Sequence, residues 1–185
     1  MDVSEQRLSE RHLMATQAIQ PTPIAAPSTR KSSADKHLIF SLGSEEFGIQ
    51  VLAIKEIIGM QEITAVPKMP KHIKGVINLR GQVIPVIDLS LKFSLVPQEY
   101  TYRTCIIVVR SHNASGDRLI GAIADGVSEV LTIPEADIEA SPDFGSGDPI
   151  PYLLGMAKVH GKVKLLLDIH EVFRTDAVVK IGLVS

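Results

Sequence analysis

The chain has 185 residues, 45% apolar and 22% charged, with a formal net charge of −2 and no tryptophan. This is the balance of a soluble globular protein with one or two small cores, and it offers no field for nucleic acid or an anionic membrane. The lone Cys105 excludes an intrachain disulfide and a multi-cysteine metal site.

Aromatic residues are only 4% of the chain, so the cores must rest on Ile, Val and Leu. No uncharged apolar run approaches the roughly 18 residues of a membrane-spanning helix. The start, MDVSEQRLSERHL, lacks a basic segment followed by an apolar one. No secretory signal is therefore expected, and the cytoplasm is.

Residues 1–35 read as a flexible N-terminal arm. SEQRLSERHLMATQAIQ has weak helical character, and a short partner-binding helix around Leu8–Ile19 is the alternative reading. PTPIAAPSTRKSSAD is broken by Pro21, Pro23 and Pro27.

The folded part begins near Lys36. HLIFSLG reads as a strand and SEEFGIQ as a second, joined by a turn at Gly43–Glu45 in which Glu45 and Glu46 are solvated. VLAIKEIIG predicts one helical turn followed by a β-branched strand. VPKMPKHIKG is a proline-bounded connection with a short helix at Pro70–Lys74. GVINLRGQVIPVIDL then predicts two strands around a reversal at Leu79-Arg80-Gly81, with Gly81 at positive φ. Pro85 cannot donate to a ladder, so its strand is expected to be an edge or to carry a bulge. Val96–Tyr102 is a loop. TCIIVVRS suits a strand buried on both faces, with Cys105 as a small hydrophobe. HNASGD is a turn, and RLIGAIADGVSEVLTI continues the strands. Residues 134–152 carry four prolines and form an irregular connector. VKLLLDI is a strand, Asp168–Phe173 starts a final helix, and 175–185 is a C-terminal tail.

A long pattern occurs twice. Gly75, Gly81, Asp88 and Phe93 recur 80 residues on as Gly155, Gly161, Asp168 and Phe173. Gly48, Ile54, Glu56 and Ile57 are echoed 73 residues on by Gly121, Val127, Glu129 and Val130. Asn78-Leu79-Arg80-Gly81 reads as a polar insert that the second copy lacks, so unequal turns are expected. Some ten short strands in two related halves predict an all-β protein of two similar barrels. Each half alone would be marginal, so an apolar seam should join them.

Chemistry is sparse. Asp88 and Asp168 sit at equivalent strand ends, which favours capping over catalysis. The six histidines show no ligand spacing, and no histidine is evidently paired with a serine or with Cys105. The glycines fit no phosphate or dinucleotide fingerprint, and Gly145–Gly147 reads as loop flexibility. Neither cofactor nor metal is expected. Lys68, Lys71, His72 and Lys74 form either a solvated face or a patch that steers an acidic partner.

Arg80 stands out, because the second copy places His160 there. Two readings remain open: a fixed, planar contact with a partner, or a brace to a nearby carboxylate. Ile54, Val76, Val83 and Val130 are candidates for small exposed apolar patches, and each also suits a core.

LIFSLGSEEFGIQVLAIKEI, IKGVINLRGQVIPVIDL, GAIADGVSEVL and YLLGMAKVHGKVKLLLDI, in that order, resemble the CheW family of chemotaxis coupling proteins. The likeness spans about residues 36–174. The resemblance implies two pseudo-symmetric five-stranded SH3-like β-barrels, with interleaved boundaries, packed around a shared hydrophobic core, plus short helices. It implies a non-enzymatic adaptor, monomeric when free, without direct membrane insertion and recruited to membrane-associated receptor arrays. Its implied partners are the regulatory domain of the histidine kinase CheA and the cytoplasmic tips of methyl-accepting chemoreceptors. The carried-over protein-binding positions are Ile54, Glu56, Gly75, Arg80 and Val130. Rival readings are a CheW-like module of another pathway, a coupling domain of the CheV class, for whose receiver the chain has no room, and an enzyme with a dispersed site.

Overall fold

The computed structural model describes residues 36–113, 116–140 and 150–174. The expected N-terminal arm, the C-terminal tail and Gly145–Gly147 lie outside the described residues.

Among the described residues, eleven strands and two short helices succeed one another in chain order. They are β1 (Lys36–Leu42), β2 (Glu45–Gln50), β3 (Ile54–Gly59), β4 (Ile73–Leu79), β5 (Gln82–Asp88), α1 (Leu89–Lys92), β6 (Cys105–Asn113), β7 (Gly116–Ala124), β8 (Gly126–Thr132), β9 (Ile138–Glu139), β10 (Leu153–Val159), β11 (Lys162–Leu167) and α2 (Ile169–Arg174). One sheet has the order β3-β6-β7-β5-β4 and the other β8-β1-β2-β11-β10-β9.

The order reveals an exchange. β1 and β2 belong to the second sheet, but a 3-10 turn at Val51–Ala53 sends β3 to the edge of the first. β6 and β7 belong to the first sheet, and β8 crosses back to pair with β1. The crossing is fastened at its corner. Asp125 donates its N–H to the Ser41 carbonyl at 3.0 Å, and its Oδ2 accepts the Gly43 N–H at 2.6 Å. Neither half can therefore complete a sheet alone.

Each sheet closes on itself. Beyond β3 the chain reaches Thr64, which bridges Val76 on β4. Beyond β8, β9 pairs with β10. Both closures need a glycine. A Cβ on Gly75 would land on the Thr64 carbonyl, and one on Gly155 would land on that of Glu139. Each glycine also sits at positive φ beside a bulge.

The buried stretch of β6, Cys105–Val109, serves two cores. On β6, Ile106 and Val108 fill the first barrel, while Cys105, Ile107 and Val109 face a shared core between the sheets. Leu38, Phe40, Leu42, Phe47, Ile49, Leu167 and Phe173 line that shared core from the other side. It is the largest apolar cluster, and it is the seam expected from the duplication. The second barrel has a smaller interior of Ile39, Ile133, Ala157 and Leu166. Burial pushes the Cys105 thiol up from its ordinary range.

Three sequence expectations change. The two hairpin turns are equal, because Arg80-Gly81 and His160-Gly161 each form a two-residue turn with both residues at positive φ. There is no insert; the copies differ in residue type, not length. β5 is an interior strand, paired to β4 and β7, and the bulge of the β4–β5 pair lies on β4, between Ile73 and Gly75. Pro85 is tolerated there because its partner Val76 sends its N–H and carbonyl to Thr64, away from β5. Pairing with β7 begins only at Val86, so the missing donor breaks no ladder bond. Finally, Pro70–Lys74 is a turn leading into β4 and not a helix.

Candidate functional site

The β4–β5 turn is a type I′ reversal, with Arg80 at φ 52° and Gly81 at φ 87°. The Asn78 Oδ1 accepts the Gly81 N–H at 2.8 Å and locks it. Arg80 is thereby held in a left-handed conformation, one that Asn or Gly adopts at lower cost. Its guanidinium reaches back to β3, where its Nη2 donates to Glu56 Oε2 at 2.8 Å. The arginine side chain remains 77% exposed and the glutamate only 21%. One face of the pair is anchored, and the other is left for solvent or a partner. Both readings of Arg80 are therefore compatible with its geometry: it braces β3 and still presents donors outward.

The remaining positions are distributed around this pair. Ile54 opens β3 and packs, half-buried, against the shared core. The pairing with β6 has a bulge between Ile54 and Glu56; both residues are half-buried, and Lys55 between them is exposed. Gly75 is buried in β4 and permits barrel closure, so it acts on the geometry behind the surface. Val130 is 54% exposed, on the edge strand β8 of the other sheet. Its repeat counterpart Ile57 is 43% exposed on edge strand β3. Of the five positions, Glu56 and Arg80 are in direct contact; Val130 belongs to the opposite barrel. Val83, next to the Arg80 turn, is also an exposed apolar residue, whereas Val76 is half-buried.

The two repeat aspartates are caps. Asp88 accepts the Leu91 N–H at 3.1 Å and the Tyr100 hydroxyl at 3.0 Å. Asp168 accepts from the N–H groups of His170 and Glu171. Burial, and then the Asp88 carboxylate, push the Tyr100 phenol far above its ordinary value.

Glu46 overturns its sequence reading. It lies in β2, not in a solvated turn, and binds the buried ammonium of Lys164 on β11. Lys162 approaches the same carboxylate at 3.8 Å. The hydrogen bond from Lys164 holds the Glu46 carboxyl below its usual range. The sequence did carry a signal: 80 residues before Lys164 stands Ile84, a core residue of the first barrel.

Among the described residues no cluster of His, Cys, Asp and Glu could hold a metal ion, and no helix is long and apolar enough to cross a membrane.

Residues 36–177 match the CheW-like domain family. The chain is 37% identical over 139 residues to a chemotaxis protein CheW of Klebsiella aerogenes, covering 75% of this chain and 81% of that one. It is 32% identical over 153 residues to a chemotaxis protein CheW of Rhizobium meliloti, covering 78% and 96%. The crystal structure of the scaffolding protein TtCheW from Thermoanaerobacter tengcongensis superimposes with a TM-score of 0.68 at 32% identity, covering 77% of this chain and 94% of that one. Family match, sequence relatives and solved fold agree over the same two-barrel region, and the chain belongs to the CheW-like domain family.

Proposed function

We propose that this protein is a non-enzymatic chemotaxis adaptor that couples methyl-accepting chemoreceptors to the histidine kinase CheA. Family membership supports the scaffold role. The observation that carries the finer reading is Arg80, which stands in a left-handed turn position, is largely exposed, and is aimed by Glu56. The fold requires a turn residue there, not a guanidinium, since the equivalent turn uses His160. Ile54, Glu56, Gly75, Arg80 and Val130 then contribute to partner contacts or to the geometry behind them. The apolar residues supply area, and the charged pair fixes orientation.

Such a protein transmits a signal by placement. It holds kinase and receptor tip in one assembly, so that a small receptor rearrangement biases the kinase. Recruitment to membrane-associated arrays follows from the partners, and no membrane insertion is involved. Titration of the protein against the purified CheA regulatory domain and against a receptor-tip fragment tests the reading. Saturable binding to both supports coupling, and binding to neither would sink it.

A further inference from the structure

The two hairpins β4–β5 and β10–β11 are copies of one another, and each docks in parallel on a copied strand. Val86 pairs with Gly121 of β7, and Leu166 with Gly48 of β2, in the same register. Backbone pairing alone cannot tell the hairpins apart. Either one presents the same ladder, the same closing glycine and the same type I′ turn.

The interiors do tell them apart. In the first barrel Ile77 faces Ile84 across the hairpin, and Leu119 of β7 packs against them. At the same places in the second barrel stand Ala157, Lys164 and Glu46. The small Ala157 leaves room for the long Lys164 side chain, which is 4% exposed and ends on the Glu46 carboxylate. We propose that the Glu46–Lys164 pair, with Ala157, is an assignment latch that docks the β10–β11 hairpin on β2 and rejects it from β7.

The physical reason is the penalty for error. An exchanged arrangement would place Lys164 beside Leu119 in an apolar interior and leave the Glu46 carboxylate beside Ile84. A buried charge without its partner is strongly disfavoured, whereas the correctly assembled pair need add little net stability. Ala157 in the place of Ile77 would also open a cavity. Correct assignment matters beyond folding. It puts Arg80 next to Glu56 on β3, and a misplaced hairpin would carry Arg80 to the other barrel, toward Glu129 on β8.

The test is to copy the first interior into the second with E46L/A157I/K164I. Chains unfolded in urea and diluted into buffer are separated by gel filtration with light scattering, and the native monomer is scored by circular dichroism and by its melt. The variant should yield several-fold more misassembled monomer and folded dimer than the wild type, while its native fraction melts at least as high. The reversed pair E46K/K164E keeps the discrimination and should refold like the wild type. If the triple variant fails to fold, E46L/K164M, which retains Ala157, supplies the same comparison. Wild-type monomer yield from the charge-free variants, or equal misassembly by the reversed pair, would overturn the proposal.

Discussion

Replacing Arg80 separates a contact from a brace. The Arg80–Glu56 pair is a single hydrogen bond at 2.8 Å with the arginine 77% exposed. Exposed pairs of this kind contribute about 0.2–1 kcal/mol. In a domain of this size about 1 kcal/mol moves Tm by roughly 2–4 °C. Arg80→Ala should therefore lower Tm by no more than about 4 °C. If Arg80 is an interface anchor, the same change should cost about 2 kcal/mol or more in binding, roughly thirtyfold in Kd. Arg80→Asn sharpens the comparison. Asn-Gly is the favoured type I′ sequence, so this variant relieves the left-handed strain and should melt at or above the wild type. It should nevertheless bind as poorly as the alanine variant. Calorimetric melts and isothermal titration against the CheA regulatory domain and a receptor-tip fragment read the two effects separately. A Tm loss beyond about 8 °C, or unchanged affinity for both partners, would refute the contact reading and leave Arg80 as a brace.

Other substitutions test the scaffold. Gly75→Ala drives a methyl group into the Thr64 carbonyl at a φ of 142°. It should cost about 3 kcal/mol or more in urea unfolding; a loss below about 1 kcal/mol would mean that closure there is soft. Asp88→Ala removes a helix cap and the acceptor of the Tyr100 hydroxyl, and should cost about 1–3 kcal/mol. Tyr100→Phe should account for only part of that loss. Glu46→Gln leaves Lys164 with a neutral acceptor and should cost about 1–3 kcal/mol at pH 7. Because folding depresses the Glu46 pKa, the carboxylate's contribution is complete above its ordinary value of 4.5 and disappears as pH falls through the lowered one. The difference in stability between wild type and Glu46→Gln should accordingly shrink in acid; a constant gap would contradict the ion pair.

Much of the fold was legible because its signals are local or repeated. TCIIVVRS predicted a strand buried twice over, and β6 divides its side chains between barrel and shared core. The 80-residue echo predicted two related halves, although with unequal turns where the hairpins are equal, and Asp88 and Asp168 cap the short helices α1 and α2. Pro85 misled because ladder position, and not strand position, decides whether a missing N–H matters. Glu46 misled because a carboxylate near a turn is usually solvated, and its partner lies 118 residues away. The candidate site was legible as residue types but not as a unit.

The sequence by itself determined the repeat, the strands, the turns that need glycine, and the residues that make one copy unlike the other. These arise from side-chain periodicity and backbone sterics, which act within a few residues. Tertiary structure alone decided that β3 and β8 change sheets, that Arg80 rests on Glu56, and that Lys164 finds Glu46 inside the second barrel. Those choices depend on which edges must be closed and which charges must be paired once the chain is compact, and no local pattern encodes them.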